Sequence, residues 1–218
     1  MNPRIDVHDL GVGRVLQGVS FTVPAGACAG FVGINGAGKS TLLALLAGVL
    51  TPDDGTVAGT DGAAYLPEGC PLDAGIPVSR WLALARTLPG WDPAFGDELI
   101  ATFDLPGRRA AGRLSQGQRV RLGLILTLGR RAPVYLLDDP FLGLDPVAKA
   151  AAESFIARRS AEATIVLSAQ DGAAVERLCT HLGLLHDGRL KGFDPIDTWR
   201  ERYPGARRFD RIIAEAVA

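Results

Sequence analysis

Gly33-Ile34-Asn35-Gly36-Ala37-Gly38-Lys39-Ser40 carries glycine, lysine and serine at every fixed position of the pattern G-x-x-x-x-G-K-[ST]. Each residue type has a chemical reason to stand there. Glycines let the backbone fold around an anion with its N–H groups pointing inward. A helix opening near Gly38 aims the positive end of its dipole at the same place. Lys39 has the reach for β- and γ-phosphates, and the Ser40 hydroxyl is a ligand type for Mg2+. The flanks agree: residues 27–32 form a short apolar strand, and residues 38–47 follow with helical spacing until Gly48. A chance glycine turn would lack both flanks. The stretch reads as a phosphate loop for a nucleoside triphosphate, with Gly33, Asn35, Gly36, Ala37, Gly38, Lys39, Ser40 and Thr41 as its contact residues.

Upstream, Val19, Phe21 and Val23 alternate with Ser20 and Thr22, the period-two pattern of a half-buried strand. Downstream, residues 51–55 read as a turn followed by short strands to about Leu66. Residues 67–77 are loop-like, and residues 78–128 read as helices broken at Pro89, Pro93 and Pro106. Val134-Tyr135-Leu136-Leu137 is wholly apolar, as in a parallel strand buried on both faces. A helix over residues 147–161, a strand over 164–167 and a helix over 172–179 follow. Strands alternating with helices, interrupted by a helical insert, predict an α/β fold without internal repeats.

Composition excludes several classes. Of 218 residues, 47% are hydrophobic and 22% charged, which argues against a disordered tail or a coiled coil. The net charge of −1 offers no whole-domain basic field, so no nucleic-acid partner is expected. Cys28, Cys70 and Cys179 are far apart, odd in number and without a CxxC pair. That spacing argues against a disulfide scaffold or zinc site and for a reducing compartment. Apolar runs are too short to span a bilayer and the N-terminus has no apolar signal core, so a cytoplasmic chain is expected.

A second site lies at Leu136-Leu137-Asp138-Asp139-Pro140. A buried strand ending in acids sets carboxylates at the carboxyl edge of the sheet, beside the phosphate loop. Asp138 is the candidate for Mg2+, directly or through water, and Asp139 the candidate that faces the attacking water.

Between these sites stands Leu114-Ser115-Gln116-Gly117-Gln118. With the phosphate loop, the acidic strand end and Gly143-Leu144-Asp145 in this order, the chain resembles the nucleotide-binding subunit of an ABC (ATP-binding cassette) transporter over residues 4–195. The resemblance implies a P-loop NTPase core of mainly parallel sheet (residues 1–66 and 129–195) with an antiparallel β subdomain. It also implies a helical subdomain (67–128), followed by a basic C-terminal segment (196–218). It implies an ATPase that uses ATP and Mg2+, in which two domains pack head to tail. Ser115, Gly117 and Gln118 of one subunit, with its Asp145, would then meet the ATP held by the other subunit's Lys39. The physical logic is separate from the label: a Ser-x-Gly turn at a helix start offers N–H groups, a hydroxyl and a positive dipole end. Ser115 is equally an ordinary N-cap. Work on a separately encoded membrane permease, from the cytoplasmic face of the membrane, is the further implication. A soluble ABC protein is the alternative.

Departures from the family pattern concern hydrolysis. Asp139 stands where the family usually has Glu, which shortens reach by about 1.5 Å, one C–C bond. Misplacement of about 1 Å can cost on the order of 100-fold in rate. Gln170 stands at the switch histidine's place and can donate a hydrogen bond but cannot exchange a proton near neutral pH. Glu68 aligns with the family's glutamine loop and keeps the ability to ligate Mg2+ or a water, so it joins Asp139 and Gln170 as a candidate catalytic residue. No aromatic precedes Val15 to stack on a base, leaving Val12 as an apolar contact. Two readings follow: a slow homodimeric ATPase, or a subunit weak in hydrolysis that lends its Ser115 helix to a competent partner in a heterodimer. His8, His181 and His186 are too scattered for a metal site. Trp81 and Trp91 are expected in the core or facing a partner. Arg200, Arg202, Arg207, Arg208 and Arg211, interleaved with Trp199, Tyr203 and Phe209, fit either contact with anionic lipid or a packed amphipathic helix.

Overall fold

The computed structural model describes residues 2–170 and 172–203 of the chain. The alternating stretch around Phe21 becomes β2 (Leu16–Val23), antiparallel to β1 (Ile5–Val12) with Ile5 opposite Val23. β3 (Cys28–Val32) runs into the phosphate loop and α1 (Lys39–Leu46). β4 (Asp54–Ala58) then returns to the free edge of β1. The turn expected over residues 51–55 is therefore shorter, because Asp54 and Gly55 already belong to the strand.

A six-stranded sheet carries the site. β5 (Ala64–Leu66), β6 (Val134–Leu137), β7 (Thr164–Ala169), β8 (His181–His186) and β9 (Arg189–Pro195) join β3 in the order β5-β6-β7-β3-β8-β9. Every neighbouring pair is parallel except β8 and β9. Period-two alternation explains the apolar strands. Cys28, Val32, Tyr135, Leu137, Ile165 and Leu167 enter one core, whereas Ala29, Phe31, Val134, Leu136 and Val166 enter another on the opposite face. α2 (Val78–Ala85), α3 (Pro93–Phe103), α4 (Gln116–Leu128), α5 (Pro146–Ser160) and α6 (Gly172–Leu178) contribute to the first core. The three-stranded sheet and the leucines of α1 close the second.

Pro93 starts α3 rather than breaking a helix. It occupies the first turn, where no N–H partner is needed, and Asp92 before it accepts from Phe95 N–H at 3.3 Å. β7 extends two residues beyond the expected end and so carries Ser168 into the site. β8 and β9 answer to no expected element, whereas α7 (Ile196–Arg202) is the packed-helix alternative for the stretch around Trp199. The aromatic–basic stretch packs where it is described: Trp199 is 1% exposed and donates from Nε1 to Leu182 O, while Arg202 lies over its ring. Arg207, Arg208, Phe209 and Arg211 lie outside the described residues. Trp81 and Trp91 are half-buried against the first core.

Candidate functional site: a phosphate cleft at the sheet edge

β3, β6 and β7 end side by side, so the loops that follow them meet in one cleft of about 250 Å3. Asn35, Gly36, Gly38, Lys39, Ser40 and Thr41 line it from the phosphate loop, Glu68 from the end of β5, Asp138 and Asp139 from β6, and Ser168 and Gln170 from β7. Gly36 and Gly38 have φ of 84° and 101°, the left-handed region in which a side chain is strained. Gly33 permits close packing, since a Cβ there would drive into Leu185 O. Ala37 is buried beneath the loop.

Lys39 Nζ donates to Gly33 O at 2.7 Å and Ile34 O at 3.0 Å, bracing the loop from inside. Burial pushes its ammonium below the usual lysine range, opposed by the charges of Asp139, Asp138 and Glu68. α1 begins at Lys39 with Gly38 as a cap that offers no side-chain acceptor, so its first turn faces the cleft uncapped by side chains. Ser40 Oγ donates to Glu68 Oε2 at 3.3 Å.

The carboxylates are wired through β7. Ser168 Oγ donates to Asp138 Oδ1 at 2.6 Å and accepts from Asp139 N–H at 2.8 Å. Gln170 Nε2 donates to Asp139 Oδ2 at 2.7 Å. Asp139 sits at φ 44°, a region that Asp tolerates better than most residues. Burial pushes its carboxyl above the usual range; the Gln170 hydrogen bond pulls the other way, and the Glu68 and Asp138 charges add to the rise. A raised carboxyl is a better proton acceptor once ionised.

Ser168 is the residue that sequence reasoning missed. Its signal was a hydroxyl near the end of a strand that is apolar from Ile165 to Leu167. Val15, not Val12, lines the cleft beside the loop; Val12 borders a separate depression with Asp53 and Asp54.

Ser115, Gly117, Gln118 and Asp145 gather elsewhere. Ser115 caps α4 in a reciprocal box: its hydroxyl accepts from Gln118 N–H, and Gln118 Oε1 accepts from Ser115 N–H. Gly117 lies against Gly143 O, where a Cβ would collide. Asp145 caps α5 by accepting from Ala148 N–H at 2.9 Å and pairs with Arg121. None of these four lines the cleft that holds Lys39.

The oxygens of Ser40, Glu68 and Asp138 are hard donors suited to Mg2+. Among the described residues no group of three or more His, Cys, Asp or Glu is arranged to hold a metal by itself. Mg2+ is commonly held by one or two carboxylates together with substrate phosphates. No helix among the described residues is long and apolar enough to cross a membrane.

Comparison with known proteins agrees with this geometry. Residues 16–74 match a family model described as ABC transporter. The chain is 38% identical over 204 residues to the cytochrome c biogenesis ATP-binding export protein CcmA of Roseobacter denitrificans, covering 88% of this chain and 91% of that one. It is 33% identical over 187 residues to the thiamine import ATP-binding protein ThiQ of a Chelativorans species, covering 77% and 76%. A solved structure titled as the ATP binding subunit of an ABC transporter superposes with a TM-score of 0.86 at 28% identity, covering 98% of this chain and 99% of that one. With the phosphate loop, the acidic strand end and the fold in agreement, the chain belongs to the ABC transporter ATP-binding family and is an ATP-binding, ABC-type ATPase.

Proposed function

We propose that two ATP-binding subunits, at least one of them this chain, close around ATP and Mg2+ and drive a separately encoded membrane-spanning permease. The observation that carries this reading is the separation of two half-sites on one chain. The phosphate-gripping groups share the Lys39 cleft, whereas the Ser115–Gly117 helix start is capped on another surface. A second subunit turned head to tail supplies that helix start to the open side of the cleft. Residues 67–128 then act as the subdomain that carries the Ser115 surface.

Within the cleft each group has a task. Lys39 and the loop N–H groups orient the β- and γ-phosphates. Ser40, Glu68 and Asp138 would hold Mg2+, which when bound spreads the charge developing on the phosphates. Asp139 accepts a proton from the attacking water, and the Gln170 amide fixes its free rotation. Ser168 ties the Asp138 carboxylate to the Asp139 backbone N–H and so fixes the two residues relative to each other.

The Gln170–Asp139 bond also favours a second reading, that of a subunit weak in hydrolysis within a heterodimer. An amide that cannot accept a further proton ties up one oxygen of Asp139, the proposed acceptor of the water's proton. Steady-state hydrolysis by the purified chain separates the two, with Asp139→Glu/Gln170→His as the comparison. Turnover well above 1 s−1, an ordinary enzyme rate, supports the homodimeric ATPase. Near-silence relieved at least 10-fold by the double substitution supports the weak subunit. ATP-dependent doubling of mass in light scattering tests closure between two copies of this chain, and no shift with ATP in any form overturns the homodimeric reading.

A further inference from the structure

Two of the three cysteines, 151 positions apart, meet in the fold. Cys28 opens β3 and is 3% exposed; Cys179 follows the last residue of α6 and is partly exposed. Their sulfurs lie 3.5 Å apart, and both thiols are free. The approach is held by backbone, not by chance rotamers. Thr180, next to Cys179, donates both its N–H (2.8 Å) and its hydroxyl (3.1 Å) to Cys28 O. Gly30, on the same face of β3, lets α6 come this close, since a Cβ there would collide with Val175 and reach 3.1 Å from Cys179 Sγ. A bond of about 2.05 Å needs the sulfurs to approach by roughly a further 1.5 Å.

We propose that Cys28 and Cys179 are a redox modification site, a dithiol that a small-molecule disulfide converts into an intramolecular disulfide stapling α6 to β3. The Cys179 thiolate attacks one sulfur of the reagent RSSR, breaks its S–S bond and releases one RS−, leaving a mixed disulfide. Cys28, once deprotonated, attacks the Cys179 sulfur and releases the second RS−. Two electrons pass from the protein thiols to the reagent, and the two protons end on two RSH. Cys179 is the entry point because Cys28 is covered. Burial and the neighbouring Cys28 sulfur push the Cys179 thiol well above its usual range, so little thiolate is present and the exchange is slow. The bond forms at the end of β3 remote from Lys39, so it joins strand and helix without touching the cleft.

The test incubates the full chain with oxidised glutathione, then counts thiols, maps peptides and records thermal unfolding. Cleavage after Lys and Arg places the cysteines in separate peptides, 15–39, 40–80 and 178–189. The expected result is loss of two thiols, a link between peptides 15–39 and 178–189, and a midpoint higher by about 5–10 °C that dithiothreitol reverses. Cys28→Ser should trap glutathione on Cys179, and Cys70→Ala should oxidise like wild type. If Cys28→Ser does not fold, the wild-type peptide map alone decides. Three thiols remaining, glutathione retained on wild-type Cys179, a link through Cys70, or a disulfide that leaves the midpoint unchanged would each overturn the proposal.

Discussion

Asp139 combines three unusual conditions: a left-handed backbone, a half-buried carboxyl and an amide clamped to one oxygen. Function and stability pull against each other there. Its folded pKa lies above the unfolded one, so its contribution is fully favourable below the unfolded value and is lost as pH rises through the folded value. At neutral pH the ionised carboxylate therefore costs stability. Asp139→Asn keeps an acceptor for Gln170 and tolerates the same backbone. It should unfold at higher urea than wild type at pH 7.5, with the advantage vanishing below the carboxyl's ordinary 3.8. Hydrolysis should fall with it, because the amide accepts no proton. Urea titrations at the two pH values check the sign, and a larger gain at low pH would contradict it.

Among the elements, α5 does more than cover the sheet. Arg159 on its inner face is 2% exposed and donates from Nε and Nη2 to Leu128 O, at 2.9 and 2.8 Å, tying α5 to the end of α4. It lies 3.8 Å over the Phe95 ring and within 3.4 Å of Asp92, the cap of α3. One guanidinium thus joins three helices of the same core. Arg159→Leu leaves the buried Leu128 carbonyl without its side-chain donor and takes one of two arginines from Asp92, which keeps Arg131 and the Phe95 N–H. We expect a loss of about 3 kcal/mol in chemical denaturation. Arg159→Lys should recover only part, since an ammonium lacks the planar fork. Full stability in the Leu variant would show that α3, α4 and α5 are held by apolar packing alone.

For the whole molecule, the separation of Lys39 from Ser115 and Gly117 makes a complementation test possible. On the proposed head-to-tail closure, Lys39→Ala and Gly117→Asp each spoil a different half-site, so a pure homodimer of either would have no intact composite site. A mixed dimer has one, built from the Gly117→Asp subunit's Lys39 and the Lys39→Ala subunit's Gly117. Mixing the two inactive proteins should recover up to roughly a quarter of wild-type hydrolysis if half the dimers are mixed and sites act independently. No recovery, with each variant folded and ATP-dependent dimers present, would place all the chemistry within one chain. For a subunit weak in hydrolysis the same mixing is read on the Asp139→Glu/Gln170→His background.

Local chemistry was legible where it is local. The glycines at Gly36 and Gly38, Lys39 and the α1 leucines are contiguous, so their spacing alone announced loop and helix. β6 was bounded residue for residue, because a strand buried on both faces must be apolar throughout. β8 and β9 were not read, although Asp187-Gly188 between them takes φ of 46° and 71°, the pair favoured in a two-residue hairpin. Glycines at 183 and 192 blurred the alternation that would have marked the strands. Residue types alone set which backbone can wrap a phosphate, which segments must be buried, and where α1, α5 and α6 start. Only tertiary structure decided that Ser168 bridges Asp138 to Asp139, that Gln170 holds Asp139, that Val15 rather than Val12 borders the cleft, and that Cys28 meets Cys179. Those contacts depend on the order and register of strands distant in sequence. Register is fixed by burying two apolar faces of the sheet at once, a condition on the whole core that no single stretch of residues contains.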